Sequence, residues 1–179
     1  MRRQWEWVVT AFAVMVLFGL IGHMRIWPHA LEGQRAPDFT APRHGGGQIR
    51  LSDETARILV LEFWSRWCTP CLVTLSRLEK VHQWAEQNRR PVSIYCVNLG
   101  DSPGDIAEVW RQERLNMPVL LDPNRHVADR YQAGALPQTV LIADGLVERV
   151  FIGSRSVHTN SLRKRIESLL ARTPNGRSN

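Results

Sequence analysis

Cysteine is scarce in this chain, with three in 179 residues. That is too few for a small fold stapled by disulfides. Long apolar runs are missing except for one near the amino terminus, which excludes a multi-span membrane protein. There is no internal repeat and no low-complexity tract. Acidic residues are the minority charge, 17 against 23 basic, for a net charge of +6. Such a balance permits nucleic acid or an anionic membrane as partner but requires neither. Much of the positive charge falls between Arg155 and Arg177, which reads as a solvated helix face followed by a disordered tail over 173–179. With 44% hydrophobic and 22% charged residues, the composition is that of one folded domain with an extra segment at one end.

That segment is the amino terminus. Arg2 and Arg3 precede an uncharged apolar run from Trp7 to Gly22, and the next cation is Arg25. As a helix the run spans about 24 Å, against a hydrocarbon core of ~30 Å. Trp5, Trp7 and Trp27 can extend it into the headgroup belts. The residues Gly19-Leu20-Ile21-Gly22-His23-Met24 make a poor cleavage site. The expectation is an uncleaved anchor over 7–25, with a cleaved signal peptide as the competing reading. By the positive-inside rule, residues 1–6 stay cytoplasmic and everything after the anchor is exported. The expected location is therefore the inner membrane, single-pass, with the catalytic domain in the periplasm or equivalent space. Thiols there are oxidised unless something keeps them reduced. Export also argues against a nucleic-acid partner.

Residues 26–35 read as a linker, and 36–172 as the domain. Gly45-Gly46-Gly47 turns between Phe39 and Ile49-Arg50-Leu51, a small hairpin. Ile58–Trp64 and Val92–Leu99 are dense apolar runs of strand length. Leu72, Leu75, Leu78, Val81 and Trp84 form a stripe at steps of three, which predicts a helix. A second helix is expected from Ser102 or Pro103 to about Leu115. A short extended piece follows at Pro118–Leu121, and a short helix ends near Tyr131. Thr139–Ala143 and Val147–Ile152 are strands joined at Asp144-Gly145. A last helix covers Thr159–Ala171. Apolar strands separated by helices predict an α/β fold, a mixed central sheet flanked by helices on both sides.

The chemistry points to Trp67-Cys68-Thr69-Pro70-Cys71. Two cysteines separated by two residues follow a buried strand and open a helix. The first lies where unpaired backbone N–H groups and the helix dipole stabilise a thiolate, and the second lies one turn further in. Such a pair cycles between dithiol and disulfide with little backbone movement. Cys68 is expected to be the exposed nucleophile and Cys71 the shielded resolving thiol. Trp67 and Pro70 belong to the surface a partner meets. A zinc site would need a second ligand pair, but Cys96 stands alone mid-strand and the six histidines are scattered. A static disulfide across so short a loop would stabilise little. Glu62 interrupts an otherwise apolar strand. A carboxyl there has a raised pKa and can take the Cys71 proton as that thiol attacks a mixed disulfide, returning it in reverse. Pro137 precedes the strand at Thr139, where it suits a turn.

Together these residues resemble the thioredoxin superfamily, and within it the membrane-anchored TlpA/ResA/CcmG-like thiol–disulfide oxidoreductases. The likeness runs from Ala36 to about Leu170. It rests on Ala36-Pro37-Asp38-Phe39, Leu51-Ser52-Asp53, Phe63–Cys71, Leu121-Asp122-Pro123 and Leu136–Ile142. The resemblance implies a thioredoxin-like fold with the hairpin as an amino-terminal extension. It also implies a cis Pro137 beside the cysteines, and a Leu136 that offers backbone groups to an extended substrate. It implies reduction of disulfides in exported proteins, with cytochrome c maturation as the setting and a membrane thiol relay as electron donor. No cofactor and no metal are expected. Glu62 falls where thioredoxins carry a buried Asp. Thr74 and Ser76 depart from the Glu and Pro that many relatives carry there. One alternative is a periplasmic copper-site assembly factor using the dithiol, although no Met-rich or His-rich motif accompanies it. Another is a peroxiredoxin-type peroxidase, whose Pro-x-x-x-Thr-x-x-Cys loop would need proline at Leu61 and threonine at Ser65.

Overall fold

The computed structural model describes residue 10 and residues 12–16 and 29–172. The residues expected as the cytoplasmic terminus (1–6), most of the anchor (7–25) and the carboxy-terminal tail (173–179) lie outside the described residues. Residues 12–16 are helical and exposed. Among the described residues no helix is long and apolar enough to cross a membrane. By internal contacts the chain divides into residues 1–30 and a compact unit from Leu31 onward.

The compact unit is built on five strands. Two short strands come first: β1 (Thr40–Pro42) and β2 (Gln48–Arg50) form the expected antiparallel hairpin. Then follow β3 (Ile58–Trp64), α1 (Thr69–Gln87), β4 (Val92–Asn98), α2 (Pro103–Glu113), β5 (Val119–Leu121), α3 (His126–Arg130), β6 (Gln138–Ala143), β7 (Leu146–Ile152) and α4 (Thr159–Ala171). The main sheet has the order β5-β4-β3-β6-β7. Strands β3, β4 and β5 are parallel, while β6 runs antiparallel to β3, and β7 to β6. The sheet is mixed because β6 and β7 are joined by two residues only, Asp144 and Gly145. Both have positive φ (48° and 81°), as a tight hairpin turn requires.

Strand β3 is buried along its whole length, and its side chains alternate between two cores. Ile58, Val60 and Trp64 face the core built by α1, α2 and α4, through Leu75, Leu78, Val81, Ile106, Val109, Leu162 and Ile166. Leu59, Leu61 and Phe63 face the other core, with Val97, Val140, Tyr131 and Phe39. Helices α1 and α2 share one face because β3-α1-β4 and β4-α2-β5 are parallel crossovers of the same hand, and α4, after β7, packs on the same face through Leu162, Ile166 and Leu169. The opposite face is covered by the short α3 and by the stretch that runs from Leu31 through Phe39 and Ala41 to Leu51.

This corrects one expectation. Residues 31–35, read as linker, are part of the fold. Leu31 is buried with Phe39 and Val147 in the second core. Gly33 N–H donates to Val147 O at 2.8 Å, Val147 N–H to Gln34 O at 2.9 Å, and Ala36 N–H to Gly145 O at 2.9 Å. Glu32 Oε1 accepts Val150 N–H at 2.9 Å. Polar and basic residues hid this segment because its contribution is mainly backbone pairing along β7. Helix α1 also begins earlier than its apolar stripe, at Thr69, with Pro70 in the first turn where its missing N–H costs nothing.

Asp122 holds the turn between β5 and α3. It is buried, and its Oδ2 accepts the N–H of Val127 at 3.1 Å and of Ala128 at 2.8 Å. Asp122→Ala strands both donors and should cost about 1–2 kcal/mol. Urea unfolding reads that loss. Asp122→Asn recovers part of it, and the reduction potential of the cysteine pair stays at the wild-type value.

Candidate active site

The parallel ladder ends at Trp64, opposite Asn98, and the chain then turns sharply toward α1. Cys68 N–H donates to Ser65 O at 3.0 Å, closing the turn. Cys68 is the N-cap of α1, and Cys71 N–H donates to Cys68 O at 2.8 Å. No side chain caps this helix, and its first turn holds no acidic residue. The free N–H groups and the positive end of the dipole are thus left to the Cys68 sulfur. Cys68 and Cys71 form a disulfide, with Cα atoms 5.3 Å apart.

Cys71 is fully buried and Cys68 is 5% exposed. Cys68 is therefore the outer cysteine, but in this oxidised state it is not the exposed group that the sequence suggested. Bonding to a buried partner holds its side chain against the body of the protein. Trp67, 74% exposed, and Pro70 provide the accessible rim, with exposed Val73 one turn along.

The β3–β6 ladder ends at Phe63 opposite Gln138. One step further, Pro137 falls opposite Trp64, beside the point where the cysteine loop leaves the sheet. The Leu136–Pro137 bond is cis, as the resemblance implied. Pro137 is buried, and its carbonyl accepts Gly153 N–H at 2.8 Å. Leu136 is half-buried and packs against both cores.

Glu62 is wholly buried. The strand alternation places it on the face that also carries Cys68 and Cys71. Its register partners are Cys96 on one side and Thr139 on the other. The Thr139 hydroxyl donates to Glu62 Oε2, while Oε1 has no hydrogen-bond partner among the described residues. Burial without a counter-charge pushes this carboxyl well above the usual carboxylate range, and the Thr139 bond offsets only part of that. The same burial, with Glu62 and Glu79 nearby, pushes the Cys96 thiol up. Cys96 is enclosed, its sulfur 3.9 Å from Met117 Sδ, and takes no part in exchange. Thr74 is buried, with its hydroxyl 3.4 Å from Pro70 O, so α1 supplies no carboxyl near the cysteines at that position. Among the described residues no group of three or more His, Cys, Asp or Glu could hold a metal ion.

One cluster was not anticipated. Asp101, just past β4, binds the cysteine loop through Ser65 and Arg66, and is itself held by Asn98 at the end of β4. The available signal was Ser65, a small polar residue closing an apolar strand and fully buried in the fold.

A thioredoxin-like sheet with a CxxC disulfide at the tip of α1 defines a thiol–disulfide oxidoreductase. The chain belongs to the AhpC/TSA family, whose profile matches residues 32–150. Thiol-disulfide oxidoreductase ResA of Bacillus subtilis is 34% identical over 124 residues, covering 69% of this chain and 68% of that protein. ResA of Geobacillus kaustophilus is 26% identical over 176 residues, 94% of this chain and 99% of its own length. Among solved structures, a candidate thiol:disulfide interchange protein DsbE from Chlorobium tepidum superposes with a TM-score of 0.69 at 27% identity. It covers 78% of this chain and 98% of its own. StoA from Bacillus subtilis, at 20% identity and a TM-score of 0.60, shares the fold. The peroxidase alternative finds no loop to occupy: Leu61 lies inside β3, and Ser65 follows its last residue by one.

The Glu62 environment predicts a pH dependence. In the fold the carboxyl keeps its proton above 4.5, where the unfolded chain has released it. The native state then binds more protons, so stability falls as pH rises past that value and levels off once Glu62 ionises in the fold. Denaturant unfolding of the oxidised protein across pH should show this slope. Glu62→Gln, neutral at every pH, should flatten it.

Proposed function

We propose that this protein is a reductase of disulfides in exported proteins, held at the inner membrane by residues 7–25, with its domain in the periplasm or equivalent space. The observation that carries the proposal is the Cys68–Cys71 disulfide at an uncapped helix terminus above a buried, uncompensated carboxyl. Two arginines before an uncharged apolar run support the anchor and its orientation. The resemblance to anchored TlpA/ResA/CcmG-like proteins supports cytochrome c maturation as the setting.

In the reduced protein the Cys68 thiolate attacks a substrate disulfide. One substrate sulfur leaves as thiolate and is protonated, and a mixed disulfide joins Cys68 to the other. Cys71 then transfers its proton to ionised Glu62 and attacks the Cys68 sulfur. The mixed disulfide breaks, the second substrate thiolate departs, and the Cys68–Cys71 bond forms. Two electrons have moved from protein to substrate. A membrane dithiol donor reverses the cycle: one donor thiolate attacks Cys68 and Cys71 leaves as a thiolate, then the donor's second thiolate attacks the mixed disulfide, closing the donor's disulfide and releasing the Cys68 thiolate. Glu62, which burial keeps protonated in the disulfide state, hands its proton to the departing Cys71. Leu136 and Pro137 line the approach for an extended partner segment, and Trp67 and Pro70 form its rim.

The test is a trap. With Cys71→Ser, attack by Cys68 stalls at the mixed disulfide, and partners stay attached for identification by mass. Apocytochrome c or other exported cysteine proteins should be recovered from the membrane fraction. Recovery of copper-site proteins alone would move the setting to copper-site assembly. An empty trap beside an active wild type would show that the order of the two thiols is wrong. A reduction potential near the ~−120 mV of a strong oxidant would reverse the direction.

A further inference from the structure

The sheet ladder stops at Trp64, and α1 begins at Thr69. Regular structure does not hold the residues between them, yet they set where Cys68 sits. One carboxylate does hold them. Asp101 accepts the buried Ser65 hydroxyl at 2.9 Å on Oδ1 and 3.0 Å on Oδ2, and Arg66 N–H at 2.6 Å on Oδ2. Asp101 is itself fixed. Asn98 Nδ2 donates to its Oδ2 at 2.7 Å, and its own N–H donates to Asn98 Oδ1 at 2.9 Å. Around this centre Leu99 N–H donates to Trp64 O at 3.1 Å. The Arg66 guanidinium pairs with Asp105 and, at 3.2 Å, with Glu108 on α2.

We infer that Asp101 is a positioning residue for the exchange reaction: through Ser65 and Arg66 it clamps the turn that seats the Cys68 sulfur at the tip of α1. This builds on the reading of Cys68 as the attacking thiol. The turn leads directly to the sulfur, because Ser65 O accepts Cys68 N–H. Stabilisation of an anion at a helix terminus falls off within the first turn. A slack turn therefore weakens the thiolate without touching either cysteine. The inferred agent is geometry rather than the charge of Asp101, since a nearby negative charge acts against a thiolate.

That contrast makes the inference testable in the reduced full-length protein, by the pH profile of iodoacetamide alkylation with mass mapping of the labelled cysteine. Ser65→Ala removes the clamped hydroxyl and leaves every charge in place. It should move the Cys68 midpoint upward and slow labelling at neutral pH about 2- to 5-fold, the size of a lost helix-terminus interaction. Asp101→Ala should shift in the same direction. Asp101→Asn, which keeps an acceptor for Arg66 N–H, should shift less than Asp101→Ala. In disulfide-reduction assays kcat should fall with KM unchanged. Wild-type midpoints in Ser65→Ala and Asp101→Ala would overturn the clamp, even if both variants melt earlier. So would a downward shift in Asp101→Ala beside an unshifted Ser65→Ala, because the carboxylate would then act as a charge only. Wild-type labelling on Cys71 in place of Cys68 would instead overturn the assigned thiol order, and this inference with it.

Discussion

A carboxyl in the middle of a buried sheet, with one hydroxyl as its neighbour, is the constraint around which this molecule is arranged. Burying a polar group without full compensation costs on the order of several kcal/mol. Burial of Glu62 opposes its charged form and pushes the carboxyl up. The face that buries it is the long-helix core of α1, α2 and α4. The reactive disulfide closes the same core at one end. The disulfide and the buried carboxyl thus belong to one face of the sheet. The packing that stabilises the domain and the chemistry at its edge use one set of contacts.

The departures at Thr74 and Ser76 fit this arrangement. Many relatives by resemblance carry an acid on the helix three residues beyond the second cysteine. Here the helix presents a buried hydroxyl turned to its own backbone. The acid in the core beside the pair comes from the sheet. A sheet position is the stiffer mount: both neighbours of Glu62 are fixed by ladders, one parallel and one antiparallel.

The alternation of apolar runs and helical stripes made most of the fold legible, because β3, β4 and α1 carry their burial in their own side chains. The CxxC pair and Glu62 were legible for the same reason: each violates a local pattern. What escaped was non-local. Residues 31–35 read as linker because their part in the fold is backbone pairing with β7, which no side-chain pattern records. The gathering of α1 and α2 on one face depends on crossover hand rather than composition. Asp101 carries no signal of its own in the sequence, since its contacts are with a serine 36 positions earlier. The expected exposure of Cys68 is not met: in the disulfide-bonded structure it is buried, bonded to a wholly buried Cys71.

The segment from Leu31 to Ala36 is stitched to Gly145, Val147 and Val150 on β7. The residues around Gly145 lie at the pole of the sheet where β3 begins, since Ile58 pairs with Ala143. The reactive sulfurs lie beyond the other end of β3. A pull on the chain ahead of Leu31 would therefore enter the domain at the pole opposite the Cys68–Cys71 pair.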